Sequence, residues 1–545
     1  MKKEPTLSQQ KIIEYKGNLT VLARPGSGKT FTISEKIKVI VHDLHDYQGV
    51  VAISYTNKAS KELFDRVSKS GTDVKRSFFG TISSFYLNEI IYKFAKYIFG
   101  KPNKEVLVYS KSDNITEVEM MNKLLEAKKS LELDSELLEL IQKNFVKGII
   151  SLELIDPIAL YIFSNCIECR NYIKARYTCV FIDEYQDCGY IQNIFFIKLM
   201  DLGLIGIAVG DKDQAIYQFA GKDSKYLIDL AKKHNVKAFI LDKNFRCHHN
   251  IRDYALRLLD GVTIPHTEEQ RIIRLNCKDD EKSIANAIDI FIPILKKQNI
   301  VTKNNQIAIL VRGERTGDII SDNIKTKHVF FRKTPLDEDS SMQGLIFKEL
   351  IIAILGNKNE KYDMCSTYID FESERHRFNN IYSKLKELSI KGLSVETLDE
   401  IVEISYNFIQ RDQKNDKSIQ KLQAVLEKTE YLETYMPQDD ELVQIMTLHK
   451  SKGLEFDVVF HLDLYKYIMP MEDFNKAEYI DLDETINLHY VGITRAKKFC
   501  FLVSSDIRTK SNGEKAQGHE SMLFNYNDLN RYTIGASVIF KLWND

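Results

Sequence analysis

Short, continuous apolar runs punctuate the chain at 19–23, 50–54, 179–183, 204–210 and 238–242, and between them apolar residues recur at the three-to-four spacing of helices. A run of four to eight apolar residues bounded by polar or turn residues marks a strand buried on both faces. Alternation of such strands with helical stretches predicts a parallel sheet, because parallel neighbours need a crossover connection between them. The pattern resumes at 306–311, 443–447, 457–462 and 498–504, which predicts a second sheet of the same kind. Two stretches, 86–176 and 356–438, carry no strand signal and are rich in Leu, Ile, Lys and Glu at helical spacing. They are expected to be helical insertions in an α/β protein with two cores.

Composition narrows the class without naming a partner. The 545 residues exceed one ordinary domain. With 44% hydrophobic and 28% charged residues, 9 prolines and 24 glycines, disordered and collagen-like chains are excluded. Lys plus Arg number 76 against 77 Asp plus Glu, a net charge of −1, so any affinity for nucleic acid must come from a local basic surface. No apolar run reaches the roughly 18 residues that span a bilayer, and the first residues lack a hydrophobic signal core, so no membrane and a cytoplasmic location are expected. Eight cysteines are too sparse for a disulfide scaffold. Cys166-x-x-Cys169 could form half of a zinc site, but Cys179 and Cys188 flank a strand and are too far apart to complete it.

The chemistry concentrates in two places. Ala23-Arg24-Pro25-Gly26-Ser27-Gly28-Lys29-Thr30 ends in the Gly-Lys-Thr of a Walker A loop, follows an apolar strand and opens a helix. In that context backbone amides cradle phosphate, Lys29 reaches the β and γ phosphates of ATP, and Thr30 ligates magnesium. Phe181-Ile182-Asp183-Glu184-Tyr185-Gln186-Asp187 runs an apolar strand into adjacent carboxylates. There Asp183 can hold Mg2+ and Glu184 can polarise the attacking water.

From these residues onward the sequence resembles the UvrD/Rep-like branch of superfamily 1 DNA helicases. Ser54-Tyr55-Thr56-Asn57-Lys58-Ala59, Gly80-Thr81-Ile82-Ser83-Ser84-Phe85, the run 210–219, Asn244-Phe245-Arg246, the run 447–456 and Tyr490-Val491-Gly492-Ile493-Thr494-Arg495-Ala496-Lys497 are similar to that family's further motifs, in the family's order. The resemblance implies two RecA-like cores with ATP between them. The first core is 1–85 with 177–250, interrupted by the insertion 86–176; the second is 251–355 with 439–545, interrupted by a reduced insertion, 356–438. Beside Glu184, it implies catalytic roles for Gln214, Arg246 and Arg495, the two arginines neutralising charge on the transferred phosphate. It places Ala23, Gly26, Ser27, Gly28, Lys29 and Thr30 on the phosphates, Glu455 on the ribose side and Phe245 against adenine, with Gln10, or alternatively Gln9, reading the adenine edge.

The same resemblance puts Tyr55 and Phe219 in base stacking and Thr56, Asn57 and His449 on the strand backbone. Tyr217 is equally a core residue or a ligand. Ser83 and Ala220 depart from the family's usual His and Arg. The implied function is ATP-driven translocation on, or unwinding of, single-stranded DNA or DNA with a single-stranded end, 3′ to 5′. Only 50 residues follow Arg495, too few for a fused nuclease. The short layout resembles the helicase-like subunits of Gabija anti-phage systems, whose partner is a nuclease-ATPase of the OLD family. The alternative function is a DNA-sensing ATPase subunit that regulates such a nuclease with little unwinding.

Overall fold

The computed structural model describes residues 4–544 except 70, 114, 128–132, 212–223, 261–268, 340, 370, 372–373, 410–414, 438, 474–477, 481 and 511. The chain forms two compact units, Met1–Val108 with Thr116–Cys247, and Tyr109–Ile115 with His248–Asp545. The change of unit at Cys247 falls within a few residues of the boundary expected at 250. The short run Tyr109–Ile115, expected within the first insertion, is counted with the second unit.

The first unit holds a six-stranded parallel sheet in the order Phe78–Gly80, Gly49–Ile53, Tyr177–Ile182, Ile205–Gly210, Leu19–Ala23, Lys237–Leu241. Gly49–Ile53 is buried at every position, and Tyr177–Ile182 at all but one, which is why these strands read as continuous apolar runs rather than alternating ones. Ile33, Ile37 and Val41 of the helix Lys29–His42 pack on Val21, Val50, Phe181 and Val209 in one apolar core. Expected and observed strands agree to within two residues. The exception is the edge strand Phe78–Gly80, which is only three residues long and only partly buried.

The segment expected as a first helical insertion begins with a π-helical run, Tyr86–Ile91, and continues through the helices Tyr92–Phe99, Thr116–Ala127, Ser135–Val146, Ile155–Asn165 and Ile167–Arg176. It also contains the paired strands Leu107–Tyr109 and Ile149–Ser151. Cys166 and Cys169 lie here, both buried, and Cys166 Sγ donates to Glu168 Oε2 at 3.3 Å. Among the described residues no group of three or more His, Cys, Asp and Glu side chains is arranged as a metal site, so nothing completes a zinc site around Cys166 and Cys169. No described helix is long and apolar enough to cross a membrane.

The second unit holds a seven-stranded parallel sheet in the order His328–Phe331, Val443–Thr447, Ile307–Val311, Phe456–His461, Ala496–Ser505, Ile272–Cys277, Thr533–Gly535. A separate helical core links Leu336 and the helices Met342–Leu355, Lys358–Tyr368, Arg375–Lys391, Leu398–Ile409 and Asp416–Leu426. This core starts before residue 356, where the second insertion was expected to begin. Ile346, Phe347, Leu350, Ile351 and Ile354 all face it, so Met342–Leu355 packs with the helical core and not with the sheet.

Beneath the helix Leu482–Thr494 runs a buried polar chain. Tyr254 hydroxyl meets His489 Nε2 at 3.3 Å, His489 Nδ1 meets His461 Nε2 at 3.0 Å, and His461 Nδ1 meets the Leu462 carbonyl at 3.1 Å. All three side chains are fully buried. The chain closes if both imidazoles are neutral, each donating from Nδ1 and accepting at Nε2. Burial pulls the His461 pKa down to about 4 and holds that of His489 well below its ordinary value. The unfolded chain titrates histidine near pH 6.5, so between about pH 6.5 and 4 it binds more protons than the folded one, and stability falls as pH falls. We therefore expect the thermal unfolding midpoint, followed by circular dichroism, to decline below about pH 6.5. The double variant His461→Asn, His489→Leu should lower the midpoint at neutral pH but flatten that decline; an equally steep decline would place the titrating groups elsewhere.

Candidate nucleotide and nucleic-acid site

The phosphate loop follows Leu19–Ala23, whose neighbours are Ile205–Gly210 and Lys237–Leu241. Arg24 N donates to the Leu241 carbonyl at 3.0 Å, and Ser27 N donates to the Arg24 carbonyl at 3.2 Å. Gly26 and Gly28 have φ of +71° and +83°, a region in which a Cβ is costly. Gly28 caps the helix that begins at Lys29, so the first helical N–H groups border the loop.

Opposite stands the acidic turn. Asp183 N extends the sheet ladder by donating to the Ile53 carbonyl at 2.9 Å. Glu184 adopts φ 57°, ψ 44°, a left-handed conformation that costs a non-glycine residue roughly 1–2 kcal/mol. Its Oε1 accepts from Lys29 Nζ at 3.0 Å, and its Oε2 accepts from Gln186 Nε2 at 2.5 Å. Gln186 is fully buried, and its Oε1 accepts from Asp211 N at 3.0 Å, which ties the acidic turn to the end of Ile205–Gly210.

Charge governs this cluster. Burial opposes the Lys29 ammonium, but Glu184, Asp183 and Asp211 outweigh it and hold the pKa above its ordinary value. Burial and the Glu184 carboxylate raise the Asp183 pKa, which Lys29 offsets only in part. Crowded, partly desolvated carboxylate oxygens of this kind suit a hard divalent cation.

The segment after Lys237–Leu241 closes over the loop. Asn244 Oδ1 accepts from Arg246 N at 2.7 Å and Cys247 N at 2.8 Å, and Phe245 N donates to the Gly26 carbonyl at 2.8 Å. A Cβ on Gly26 would lie 2.5 Å from Arg246 Cβ and 2.7 Å from Asn244 Oδ1. Arg246 is thereby held against the phosphate loop. Phe245 is 40% exposed, which leaves ring surface for stacking.

Of the two glutamines considered for the adenine edge, Gln9 reaches the loop and Gln10 does not. Gln9 is buried, with Nε2 donating to the Ser27 carbonyl at 3.1 Å, whereas Gln10 Nε2 donates along its own helix to Glu14 Oε1 at 2.5 Å. Successive helical residues are turned by about 100°, so only one of the pair can face inward.

Tyr55, just beyond Gly49–Ile53, is 45% exposed, and burial together with the Asp187 charge raises its pKa. Thr56 caps the helix Asn57–Ser68, its Oγ1 accepting from Ala59 N at 3.1 Å, which gives this hydroxyl a structural use. The side chain of Asn57, and all of Gln214, Tyr217, Phe219 and Ala220, lie outside the described residues.

In the second unit, His449 follows Val443–Thr447 and is half-buried; burial, with the charges of Arg312 and Lys452, lowers its pKa to about 4. Its imidazole is neutral at physiological pH. Glu455 Oε2 pairs with Lys497 Nζ at 3.4 Å, and both line a polar cavity of about 250 Å3 with Gln306, Gln444 and Asp457. Arg495 is 1% exposed and spends its guanidinium locally. Nε donates to the Val491 carbonyl at 3.0 Å, Nη1 to the Leu454 carbonyl at 3.2 Å and Nη2 to Thr494 Oγ1 at 3.2 Å.

Three residues escaped the sequence reading. The motifs assign no role to Gln186 or Asn244, and none to Arg312, which directly follows the strand Ile307–Val311. Position at the carboxyl end of a parallel strand was the signal available for Arg312.

Comparison with known proteins agrees with this geometry. Residues 9–220 match the AAA domain family, and residues 336–506 match the UvrD-like helicase C-terminal domain. The chain thus pairs an AAA domain with a UvrD-like helicase C-terminal domain, and its two parallel sheets are RecA-like cores. Among individual proteins, it is similar to the Gabija protein GajB of Bacillus cereus (strain VD045), 25% identical over 499 residues that cover 90% of this chain and 94% of that protein. It is 24% identical over 620 residues to a probable DNA helicase II homolog of Rickettsia conorii (strain ATCC VR-613 / Malish 7), covering 92% of each. With the ATP-dependent DNA helicase PcrA of Bacillus subtilis (strain 168) it shares 22% over 616 residues, 92% of this chain and 83% of that protein. Alignments of 620 and 616 positions exceed the 545 residues present, so these two relatives carry segments without counterpart here.

The packing of Asn244 and Arg246 on Gly26 generates a test. Gly26→Ala combines a disfavoured φ with a sub-van der Waals approach, and a loss of even 1.4 kcal/mol is tenfold in an equilibrium constant. We expect affinity for a fluorescent adenine nucleotide to fall at least about tenfold. Unchanged affinity would show that the loop can move away from the 244–247 turn without cost.

Proposed function

We propose that the chain is an ATP-driven motor of the UvrD type that translocates on single-stranded DNA, 3′ to 5′, and separates duplex from a single-stranded end. The observation that carries this is the Lys29–Glu184 ion pair at 3.0 Å, set between a glycine loop and a buried acidic turn. In the absence of nucleotide each group neutralises the other. Arriving phosphates compete for Lys29, and its transfer to them releases Glu184 Oε1 to accept a proton from water, while Gln186 keeps the carboxylate aimed. Thr30 and Asp183 would hold magnesium, which supplies charge neutralisation on the phosphates. Arg246 supplies a guanidinium to the same phosphates, and Arg495 is proposed as the second, which requires it to leave its carbonyl partners. Phe245 stacks on adenine, and Gln9 replaces Gln10 as the residue reading its edge.

Tyr55 offers an exposed ring for a base, with His449, Arg312 and Lys452 as neutral and cationic partners for the strand backbone. Phe219 and Asn57 are assigned to the strand, and Gln214 to the γ phosphate, on family likeness alone. The likeness to GajB favours a second reading, an ATPase subunit that senses DNA and controls a nuclease-ATPase partner of the OLD family.

Steady-state ATP hydrolysis with and without single-stranded DNA, beside displacement of a strand from a duplex with a 3′ overhang, separates these readings. Stimulation with displacement supports the motor; stimulation without displacement supports the sensor; no stimulation removes DNA as effector. Glu184→Gln should abolish turnover and leave nucleotide binding intact, and loss of binding instead would count against Glu184 as the base. Tyr55→Ala should weaken affinity for an oligodeoxythymidylate by about 1–3 kcal/mol, as loss of one stacking platform does. Unaltered affinity would make Tyr55 a packing residue.

A further inference from the structure

Lys36 is a buried cation that the hydrolytic cluster does not use. It lies on the helix Lys29–His42, is 2% exposed, and directs its ammonium at the end of the helix Leu7–Glu14. Nζ donates to the carbonyls of Ile12 at 2.9 Å, Ile13 at 3.3 Å and Tyr15 at 2.5 Å. Three acceptors match the three N–H bonds of an ammonium. These carbonyls belong to the last turn and C-cap of the helix, whose acceptors lack intrahelical donors and where the macrodipole favours a cation. Burial lowers the Lys36 pKa to about 8, and the nearby Cys179 opposes this only in part.

The same short helix carries Gln9. At its other end Thr6 and Gln9 form a capping box: Thr6 N donates to Gln9 Oε1 at 2.9 Å and Gln9 N donates to Thr6 Oγ1 at 3.4 Å. Gln9 Nε2 reaches the Ser27 carbonyl at 3.1 Å. Each Gln9 amide atom then keeps one further valence, an N–H and a lone pair, which match the N7 acceptor and N6–H donor of adenine. Guanine presents an acceptor, O6, where adenine presents that donor. An eight-residue helix is too short to hold its place alone.

We propose that Lys36 is a positioning residue for base selection, fixing the helix Leu7–Glu14 so that the Gln9 amide meets an adenine and rejects a guanine. The inference rests on the adenine-reading role given to Gln9 above. Lys36 touches neither nucleotide nor water in this scheme; it sets the distance of Gln9 from the phosphate loop.

The test is the ratio of kcat/KM for ATP to kcat/KM for GTP, measured with saturating single-stranded DNA on the full chain. Gln9→Ala should lower that ratio about tenfold, the value of roughly 1.4 kcal/mol of lost discrimination. Lys36→Met should lower it to a similar extent, mainly through KM for ATP, and the double variant should lower it no further, because both act through one amide. Lys36→Arg, which can still donate to the same carbonyls, should restore much of the ratio. If Lys36→Met yields no folded protein, Lys36→Gln, with two donors on a shorter stem, takes its place with the same expectation. A Lys36 variant with a lower unfolding midpoint but an unchanged ratio, beside a Gln9→Ala that changes it, overturns the proposal and leaves Lys36 purely structural. An unchanged ratio in Gln9→Ala itself overturns the reading of Gln9, and the role of Lys36 with it.

Discussion

All six strands of the first sheet run parallel, and parallel strands must release their chain at one common edge. From that edge come the glycine loop after Ala23, the Tyr55 segment after Ile53, the acidic turn after Ile182, Asp211 after Gly210 and the Asn244 turn after Leu241. No long-range design beyond the sheet is needed to gather five segments spread over more than two hundred residues. What the side chains add is fine adjustment. The bond from Phe245 N to the Gly26 carbonyl and the pair of Gln186 bonds fasten neighbouring loops to each other.

Electrostatics and sterics act together in that cluster. Lys29 is buried enough that an isolated ammonium would be unfavourable, and only the surrounding acids keep it charged. The acids in turn are crowded enough that Asp183 holds its proton more readily than a free carboxylate. The site is thus poised to exchange internal ion pairs for contacts to an anionic ligand. A lysine alone would bind phosphate less selectively, and acids alone would repel it.

Most of the first sheet was legible because its strands are apolar on both faces, as in Gly49–Ile53. The second sheet was less so. Ile272–Cys277 escaped because Arg274 and Asn276 interrupt its apolar run, yet Arg274 pairs with Glu520 at 2.7 Å and lies 4.5 Å over the Phe524 ring, while Asn276 bonds Asp506 at 3.0 Å. Those partners are more than two hundred residues away, and no local window contains them. His328–Phe331 and Thr533–Gly535 are edge strands of four and three residues, too short to show periodicity. For the site, the motifs single out Lys29, Asp183 and Glu184, and the family resemblance Arg246, all of which lie at the carboxyl edge of the first sheet; neither chooses between Gln9 and Gln10, since which of them reaches the loop depends on the rotational phase of a helix. Nor could spacing show that Arg495 is engaged with carbonyls of its own unit, which is a property of packing.

Glu184 sits on a backbone conformation that most residues avoid. The rest of the turn, closed by the bond from Asp187 N to the Glu184 carbonyl at 2.9 Å, holds it there against its own preference. Any procedure that optimises this sequence for thermal robustness will rank glycine or asparagine above glutamate at this position. On the role proposed for Glu184, a variant so improved would unfold later and hydrolyse nothing, which would make melting temperature a misleading guide when choosing substitutions in this turn.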